Sequence, residues 1–280
     1  MTGPEALKAR YRAGPAAMIV AHRGVWDAHP ENSLAAIRAA AAFDVVEIDA
    51  RVAADGGIVV MHDDTLLRTT GDPRAVADVP GCEIRALRLR HGGGGPEAGL
   101  SEERVPGLAE ALAAGPGLLF DLDAKDPAEA EAEAVARVAV AADAADRAAI
   151  KIDVADTDGL AALAALEART GLAVIAKLVL RDAGSLALVE AVASAGVAVA
   201  EVWFDDLDLV REAARIGGGR LLLSTYTLDP VHCAGLSDSR AATDPGAVWG
   251  RLLDAGIRLI MTDRPAALRG YLKARASRLA

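Results

Sequence analysis

Residues 45–63 read VVEIDARVAADGGIVVMHD and contain two apolar runs separated by Asp55-Gly56. An Asp-Gly pair between such runs is a strong signal for a tight β-hairpin. We therefore interpret 58–61 as the returning arm of a hairpin and not as a further strand of a parallel sheet. This interpretation decides the fold, because it sets the number of principal strands at eight instead of nine.

The eight principal strands are predicted from short apolar runs that recur along the whole chain. These runs lie at 17–21, 45–49, 117–123, 149–153, 172–178, 199–204, 221–226 and 259–263. Alanine-rich segments of helical period separate most of them and predict helices at 33–43, 127–146, 157–168, 184–195, 206–216, 244–255 and 265–277.

Alternating strands and helices indicate an α/β protein with a parallel sheet and helices outside it. Eight such strands favour closure into a TIM (β/α)8 barrel, with an open doubly wound sheet as the alternative. We expect one barrel domain over residues 1–280, with the hairpin as an extension. A weakly periodic, glycine-rich region at about 64–106 is predicted to be a small insertion after the hairpin.

The charge of the chain limits its partners. The formal net charge is −10, and no block of Lys or Arg reverses it locally. This argues against a nucleic-acid partner held through phosphates.

No apolar run approaches the roughly 20 residues of a membrane span, and the first residues do not resemble a secretory signal. We expect a cytoplasmic protein without a transmembrane segment.

The hairpin also predicts which side chains meet. If Asp55 and Gly56 form a two-residue loop, residues whose numbers sum to 111 face each other, which places Asp49 opposite His62. Directly opposed residues of antiparallel strands point to the same face, so His62 is expected beside Asp49. Glu47 shares that face, because side chains alternate along a strand.

Polar residues stand where the strands of the predicted barrel end, and barrel active sites lie at that face. The first three strands contribute His22, Arg23, Glu47, Asp49, Asp121, Asp123 and Lys125. The later strands contribute Lys151, Asp153, Lys177, Trp203, Tyr226 and Asp263.

The clustered carboxylates predict a metal site. Glu47 and Asp49 point together into the barrel mouth, where unpaired negative charges are costly. Oxygen ligands from two strands, without a cluster of Cys or His, favour a divalent cation such as Mg²⁺ or Ca²⁺. The alternative is that these acids pair with Arg and Lys at the barrel rim.

Two histidines beside such a metal can act as a general acid and a general base, because both protonation states are accessible near neutral pH. His22 and His62 are the candidates, and the sequence does not say which has which role. His29, His91 and His232 lie away from strand ends and are expected at the surface. The glycine run 92–95 lacks the context of a phosphate loop and is interpreted as a flexible turn.

Glu31 and Asn32 precede a helix that begins near Ser33. They are either ordinary capping residues or part of the site, and for Asn32 both roles are compatible.

Taken together, these motifs resemble the glycerophosphodiester phosphodiesterase family. The resemblance rests on HRG (22–24), PENS (30–33), EIDARVAADGGIVVMHDDTLLRTTG (47–71), VPGLAEAL (105–112), DAK (123–125) and MTDRP (261–265). It covers nearly the whole chain in the same order, and the composite 47–71 is its most specific part.

The resemblance implies a TIM barrel that uses a divalent metal to hydrolyse glycerophosphodiesters to glycerol 3-phosphate and an alcohol. It implies that Glu47, Asp49 and Asp123 bind the metal. His22 and His62 would form the acid–base pair, and Arg23 and Lys125 would hold the phosphate. Trp203 and Tyr226 are further candidate substrate-binding residues. The nucleophile is either water or a neighbouring hydroxyl group of the substrate.

Two positions depart from the family pattern. Asp123 stands where the family usually has Glu, which leaves Asp121 on the same strand face as an alternative or supporting residue. Tyr226 stands where Trp is common. These departures leave open a different diester, such as a lysophospholipid or a sugar phosphodiester. A catalytically silent phosphate-binding barrel is the alternative from outside the enzymes.

Overall fold

A computed structural model describes residues 3–125 and 129–279 of the chain. All eight apolar runs form strands of one sheet. These strands are β1 Met18–His22, β2 Val45–Val52, β6 Leu119–Ala124, β7 Ala148–Asp153, β8 Ala173–Leu180, β9 Val199–Phe204, β10 Leu222–Tyr226 and β11 Ile257–Thr262. They follow the order β1-β11-β10-β9-β8-β7-β6-β2, and β1 also pairs with β2. The sheet is therefore closed and parallel, and the predicted TIM (β/α)8 barrel is confirmed.

The residues group into two compact units, built mainly from His22–Ile150 and from the remainder of the chain. A single domain over residues 1–280 stays a prediction. No helix of the described ranges is long and apolar enough to cross a membrane.

The first unit contains the hairpin and the insertion. Besides β2 and β6 it holds α2 Leu34–Ala39, β3 Ile58–Val60, α3 Leu67–Thr70, α4 Gly81–Ile84, β4 Arg88–Arg90, β5 Leu100–Arg104, α5 Leu108–Ala114 and α6 Glu129–Ala141. The predicted helix at 127–146 thus corresponds to α6, and residues 127 and 128 lie outside the described ranges.

The insertion and the returning arm of the hairpin share a small apolar core. Val59 and Met61, which alternate along the returning arm, are buried with Leu66, Val79 and Ile84 in one apolar cluster. This arrangement follows from the period of two in a strand, which directs both side chains to the same face.

The hairpin is present, but its predicted register is wrong by one residue. Strand β3 runs antiparallel to β2 with Ala50 opposite Val60, and the Met61 amide donates to the Asp49 carbonyl at 3.1 Å. Met61 therefore lies opposite Asp49, where His62 was expected. A two-residue type I′ turn needs a positive φ at both central positions. Only Gly56 has one (φ 80°), so the loop takes three residues.

The second unit holds the remaining helices. They are α1 Pro4–Ala13, α7 Thr157–Thr170, α8 Ala183–Ser194, α9 Leu207–Gly217, α10 Asp238–Thr243, α11 Arg251–Asp254 and α12 Pro265–Leu279. The helix predicted at 244–255 corresponds to a π-helical turn and α11, and α10 before it is an additional helix that was not predicted. Ser237 caps α10, and Pro245, which lacks an amide hydrogen, separates α10 from a π-helical turn at Gly246–Gly250 that leads into α11.

Candidate active site

The loop after β1 holds two residues in a left-handed backbone conformation. Arg23 has φ 55° and Asn32 has φ 59°, and the Asn32 amide donates to the Arg23 carbonyl at 2.9 Å. This conformation is uncommon for residues other than glycine and concentrates at functional sites. It directs Arg23 and Asn32 toward the same carboxylate, Asp49, as their contacts demonstrate.

Gly24 lets the same loop approach helix α2 closely. Its φ is 83°, and a Cβ atom at this position would lie 2.7 Å from the Ala36 carbonyl carbon. The Val25 amide donates to the Ala36 carbonyl at 3.0 Å and fixes the approach. Any side chain here would push the loop away from the helix.

We expect Gly24→Ala to lower the free energy of unfolding by about 2–4 kcal/mol, from the positive φ and the overlap with α2 together. Gly56→Ala is the matched control, since Gly56 has a similar φ (80°) but open space around it. Its loss should be only about 1–2 kcal/mol. Chemical denaturation measures both, and equal losses would mean that the close packing on α2 contributes nothing.

Asp49, at the inner face of β2, is the centre of the site. Its Oδ2 accepts from Asn32 Nδ2 at 2.8 Å and lies 3.2 Å from Arg23 Nε, while Lys125 Nζ is 3.3 Å from Oδ1. Burial alone would raise the pKa of this carboxyl, but the charges of Arg23, Lys125, His62 and His22 hold it well below its usual range. Asp49 is thus ionised, with both histidines within electrostatic reach.

Three carboxylates converge at this point. Glu47, Asp49 and Asp123 each offer an oxygen, and these oxygens lie within 4.8 Å of one another. The register explains this, because Asp49 is the direct partner of Asp123 across β2 and β6. Among the described residues, Asp123 and not Asp121 joins the group, although Asp121 is buried on the same strand.

The cluster fits a divalent cation. Mg²⁺ and Ca²⁺ bind carboxylate oxygens at about 2.0–2.6 Å, so two ligands of one ion lie at most about 5 Å apart. Some of these carboxylates also form ion pairs, as the alternative prediction requires. Lys125 Nζ donates to Asp123 Oδ2 at 3.0 Å, and Arg23 contacts both Asp49 and Glu31. The three carboxylates of the cluster face two cations, Arg23 and Lys125, so a surplus of negative charge remains.

The two histidines reach the site by different routes. His22 is the last residue of β1, and His62 follows the returning hairpin arm. Burial lowers the pKa of His62 below its usual value, although the charge of Asp49 opposes this effect. Arg51 Nε donates to the His62 carbonyl at 2.9 Å and holds this part of the chain against β2.

The sequence alone did not decide between a capping role and a site role for Glu31 and Asn32. It also did not predict that Asp63 and Arg68 contact the site residues. Ser33 is the helix cap, accepting from the Ala36 amide at 3.1 Å, whereas the side chain of Asn32 contacts Asp49. Arg68 binds Asp63 and Glu31 at 2.7–2.9 Å. Arg68 lies in the RTTG segment of the family motif, but the sequence around it has no helical or strand periodicity that would place it in the structure.

The glycine run 92–95 forms the predicted turn, and its backbone touches the site residues. Gly92 accepts from the Glu31 amide at 2.9 Å, and the Gly93 carbonyl accepts from Arg68 Nη1. Of the other histidines, His91 is exposed, whereas His29 and His232 are half-buried.

Trp203 and Tyr226 belong to the second unit. With Asp153, Lys177 and Glu201 they line a cavity of about 200 Å³. Burial raises the pKa of the Tyr226 phenol. The cavity therefore combines two aromatic rings with side chains of both charges.

The comparisons with known proteins identify the family of this chain. The model of the glycerophosphoryl diester phosphodiesterase family, a family of phosphoric diester hydrolases, matches residues 22–267. The chain belongs to this family.

Two relatives illustrate how far the similarity extends. A probable glycerophosphodiester phosphodiesterase 2 of Mycobacterium tuberculosis is 28% identical over 91% of this chain and 90% of its own. Human glycerophosphodiester phosphodiesterase 1 is 39% identical over 34% of this chain and 29% of its own. The match thus spans less than a third of the human relative's length.

Solved structures share the fold. A glycerophosphoryl diester phosphodiesterase from Parabacteroides distasonis has a TM-score of 0.74 at 22% identity, covering 98% of this chain and 93% of its own. An Oleispira antarctica phosphodiesterase, solved in complex with the product sn-glycerol-3-phosphate, has a TM-score of 0.67 at 20% identity, covering 94% and 99%.

Proposed function

We propose that this protein hydrolyses glycerophosphodiesters to glycerol 3-phosphate and an alcohol, with a divalent cation and two histidines at the reacting phosphate. One observation carries the proposal: Asp49 lies at the meeting point of a carboxylate cluster, two cationic side chains and the charges of His22 and His62. Membership of the family and the product-bound Oleispira antarctica relative support the substrate class.

Glu47, Asp49 and Asp123 would hold the cation, and we propose Mg²⁺ or Ca²⁺ because all three ligands are hard oxygen donors. When bound, such an ion supplies Lewis-acid polarisation of a phosphoryl oxygen. The chain itself supplies the positions of the three carboxylates through the pairing of β2 with β6.

Arg23 and Lys125 would orient the phosphate. Both cations stand beside the carboxylate cluster, and the pKa of Lys125 is raised by Asp49 and Asp123 even though burial opposes this. Both side chains are therefore charged at any physiological pH. Together with the proposed divalent cation, these two charges would offset the carboxylates and let a chain of net charge −10 bind an anion.

His22 and His62 would exchange protons with the substrate. One removes the proton of the nucleophile, which is water or a neighbouring substrate hydroxyl, and the other protonates the leaving alkoxide. Trp203 and Tyr226 complete the proposal as substrate-binding residues, with aromatic surface that suits the organic part of a diester.

The test is an assay of choline, ethanolamine and glycerol 3-phosphate release from a panel of glycerophosphodiesters, with and without a chelator. We expect hydrolysis that is lost in chelator and restored by Mg²⁺ or Ca²⁺. The panel should include a lysophospholipid and a sugar phosphodiester. Faster turnover of either would reassign the substrate, full activity in chelator would remove the metal, and inertness toward all of them would indicate a silent phosphate-binding barrel.

A further inference from the structure

The side chain of His62 is held by a carboxylate that has no assigned role. His62 Nδ1 lies 2.8 Å from Asp63 Oδ1. Arg68 binds both oxygens of the same carboxylate, with Nε 2.7 Å from Oδ2 and Nη2 2.8 Å from Oδ1. A bidentate arginine–carboxylate pair of this kind fixes the orientation of the carboxylate as well as its charge.

The charge of Asp63 determines which ring nitrogen of His62 carries the proton. Burial would raise the pKa of Asp63, but the hydrogen bonds from Arg68 and His62 lower it to about 2. An ionised carboxylate accepts hydrogen bonds and donates none. His62 Nδ1 must therefore be the donor, and in the neutral ring Nε2 bears the lone pair.

Arg68 is itself fixed from the other side. It donates to both oxygens of Glu31 at 2.8 and 2.9 Å and to the Gly93 carbonyl of the insertion. Glu31 also accepts from Arg23 Nη1 at 3.1 Å, and Arg23 Nε lies 3.2 Å from Asp49. A continuous series of contacts thus joins the ring of His62 to the carboxylate cluster.

We propose that Asp63 and Arg68 are positioning residues, which hold His62 with its proton on Nδ1 so that Nε2 exchanges a proton with the substrate. The proposal rests on the proposed function for its catalytic consequence and on the contacts above for its geometry. It gives the insertion a role in the reaction, since the insertion contributes Arg68.

The decisive variant is Asp63→Asn. Asparagine replaces one acceptor oxygen by an NH₂ group, and Arg68 donates to both oxygen positions, so in either orientation the NH₂ group opposes an N–H of Arg68 and the bidentate pair is lost. The side chain then no longer fixes the proton of His62 on Nδ1, and the form with the proton on Nε2 becomes populated. We expect kcat to fall about 10–100-fold, as on loss of a contact that orients a site ligand. KM should change little, because Asp63 is not proposed to touch the substrate.

The tautomer is measured directly by ¹⁵N NMR of the histidine-labelled protein above the pKa of His62, with the signal assigned by its loss in His62→Ala. The wild type should show a proton on Nδ1 alone, and Asp63→Asn should also show the form with the proton on Nε2. Circular dichroism should show that Asp63→Asn is folded, because Asp63 and Arg68 are partly exposed and Arg68 keeps its contacts with Glu31.

Asp72→Asn is the matched control. Asp72 pairs with Arg74 at 2.8 Å in the same insertion, but Arg74 is exposed and the described structure gives Asp72 no histidine partner. This variant should keep the wild-type kcat and the wild-type His62 signal.

Combining Arg68→Met with Asp63→Asn tests the role of Arg68. With Arg68 absent, the amide of Asn at position 63 can turn its oxygen toward His62, so the Asp63→Asn/Arg68→Met variant should regain the proton on Nδ1. Its kcat should be no lower than that of Asp63→Asn alone. Losses that multiply would overturn the role of Arg68.

The two proposals fail in different ways. A wild type that hydrolyses no member of the diester panel would contradict the proposed function, whatever the tautomer. An active wild type with the His62 proton on Nε2, or an Asp63→Asn variant with unchanged kcat, would overturn the positioning role.

Discussion

Replacing either His22 or His62 with alanine is expected to reduce kcat/KM for a glycerophosphodiester by about 10²–10⁴-fold, the usual contribution of general acid–base catalysis. The reason is that the alcohol leaves as a poor alkoxide, so both proton transfers are needed. The fold should survive, because His22 ends a strand and His62 is partly exposed. Release of glycerol 3-phosphate measures the effect.

The two variants should differ on an activated substrate. A nitrophenyl phosphodiester releases its alcohol without protonation, so loss of the general acid should harm its cleavage far less than loss of the base. One variant, and only one, should keep substantial activity on this substrate. His91→Ala is the control, since His91 is exposed on the insertion. Wild-type hydrolysis of the natural diester by either His22→Ala or His62→Ala would refute the two-histidine mechanism.

Asp49→Asn is expected to abolish activity and to weaken binding of Mg²⁺ or Ca²⁺ by more than about 100-fold. Loss of an outer contact to a metal ligand already costs about 10–100-fold, and Asp49 is a proposed ligand itself. Titration calorimetry of the protein with the metal alone measures the affinity independently of turnover.

The matched control is Asp206→Asn. Asp206 caps α9 by accepting from the Asp208 amide at 2.8 Å, and asparagine caps a helix equally well. Its metal affinity should equal that of the wild type. Asp49 also pairs with Arg23 and Lys125, so circular dichroism should establish that Asp49→Asn is folded. A folded variant with unchanged metal affinity would exclude Asp49 as a ligand.

The strands were predictable because a fully buried parallel strand is a short apolar run, and each of the eight runs is a strand. The hairpin was predictable from Asp55-Gly56, but its register was not. The register depends on whether Asp55 adopts a positive φ, and aspartate accepts either sign. The helix predicted at 244–255 is present, whereas α10 before Pro245 was not predicted, because its six residues are too few to establish a helical period.

The carboxylate cluster was predictable because strand period and strand order together place Glu47, Asp49 and Asp123 on one face. The role of Arg68 was not predictable, because Arg68 lies in a region without periodicity and its partners Glu31 and Gly93 are far away in the sequence. The contacts of Glu31 were not predictable either. The sequence PENS predicts the start of a helix, and only the folded loop shows that Glu31 binds two arginines.

The series Asp63, Arg68, Glu31, Arg23 and Asp49 alternates in sign at every step. Loss of any one member leaves its neighbours with unbalanced charge, so the first substitution carries most of the penalty and a second one next to it adds less. Substitutions at these five positions are therefore expected to be epistatic. A lineage that changes Asp63 or Arg68 is expected to replace the other member of the pair as well.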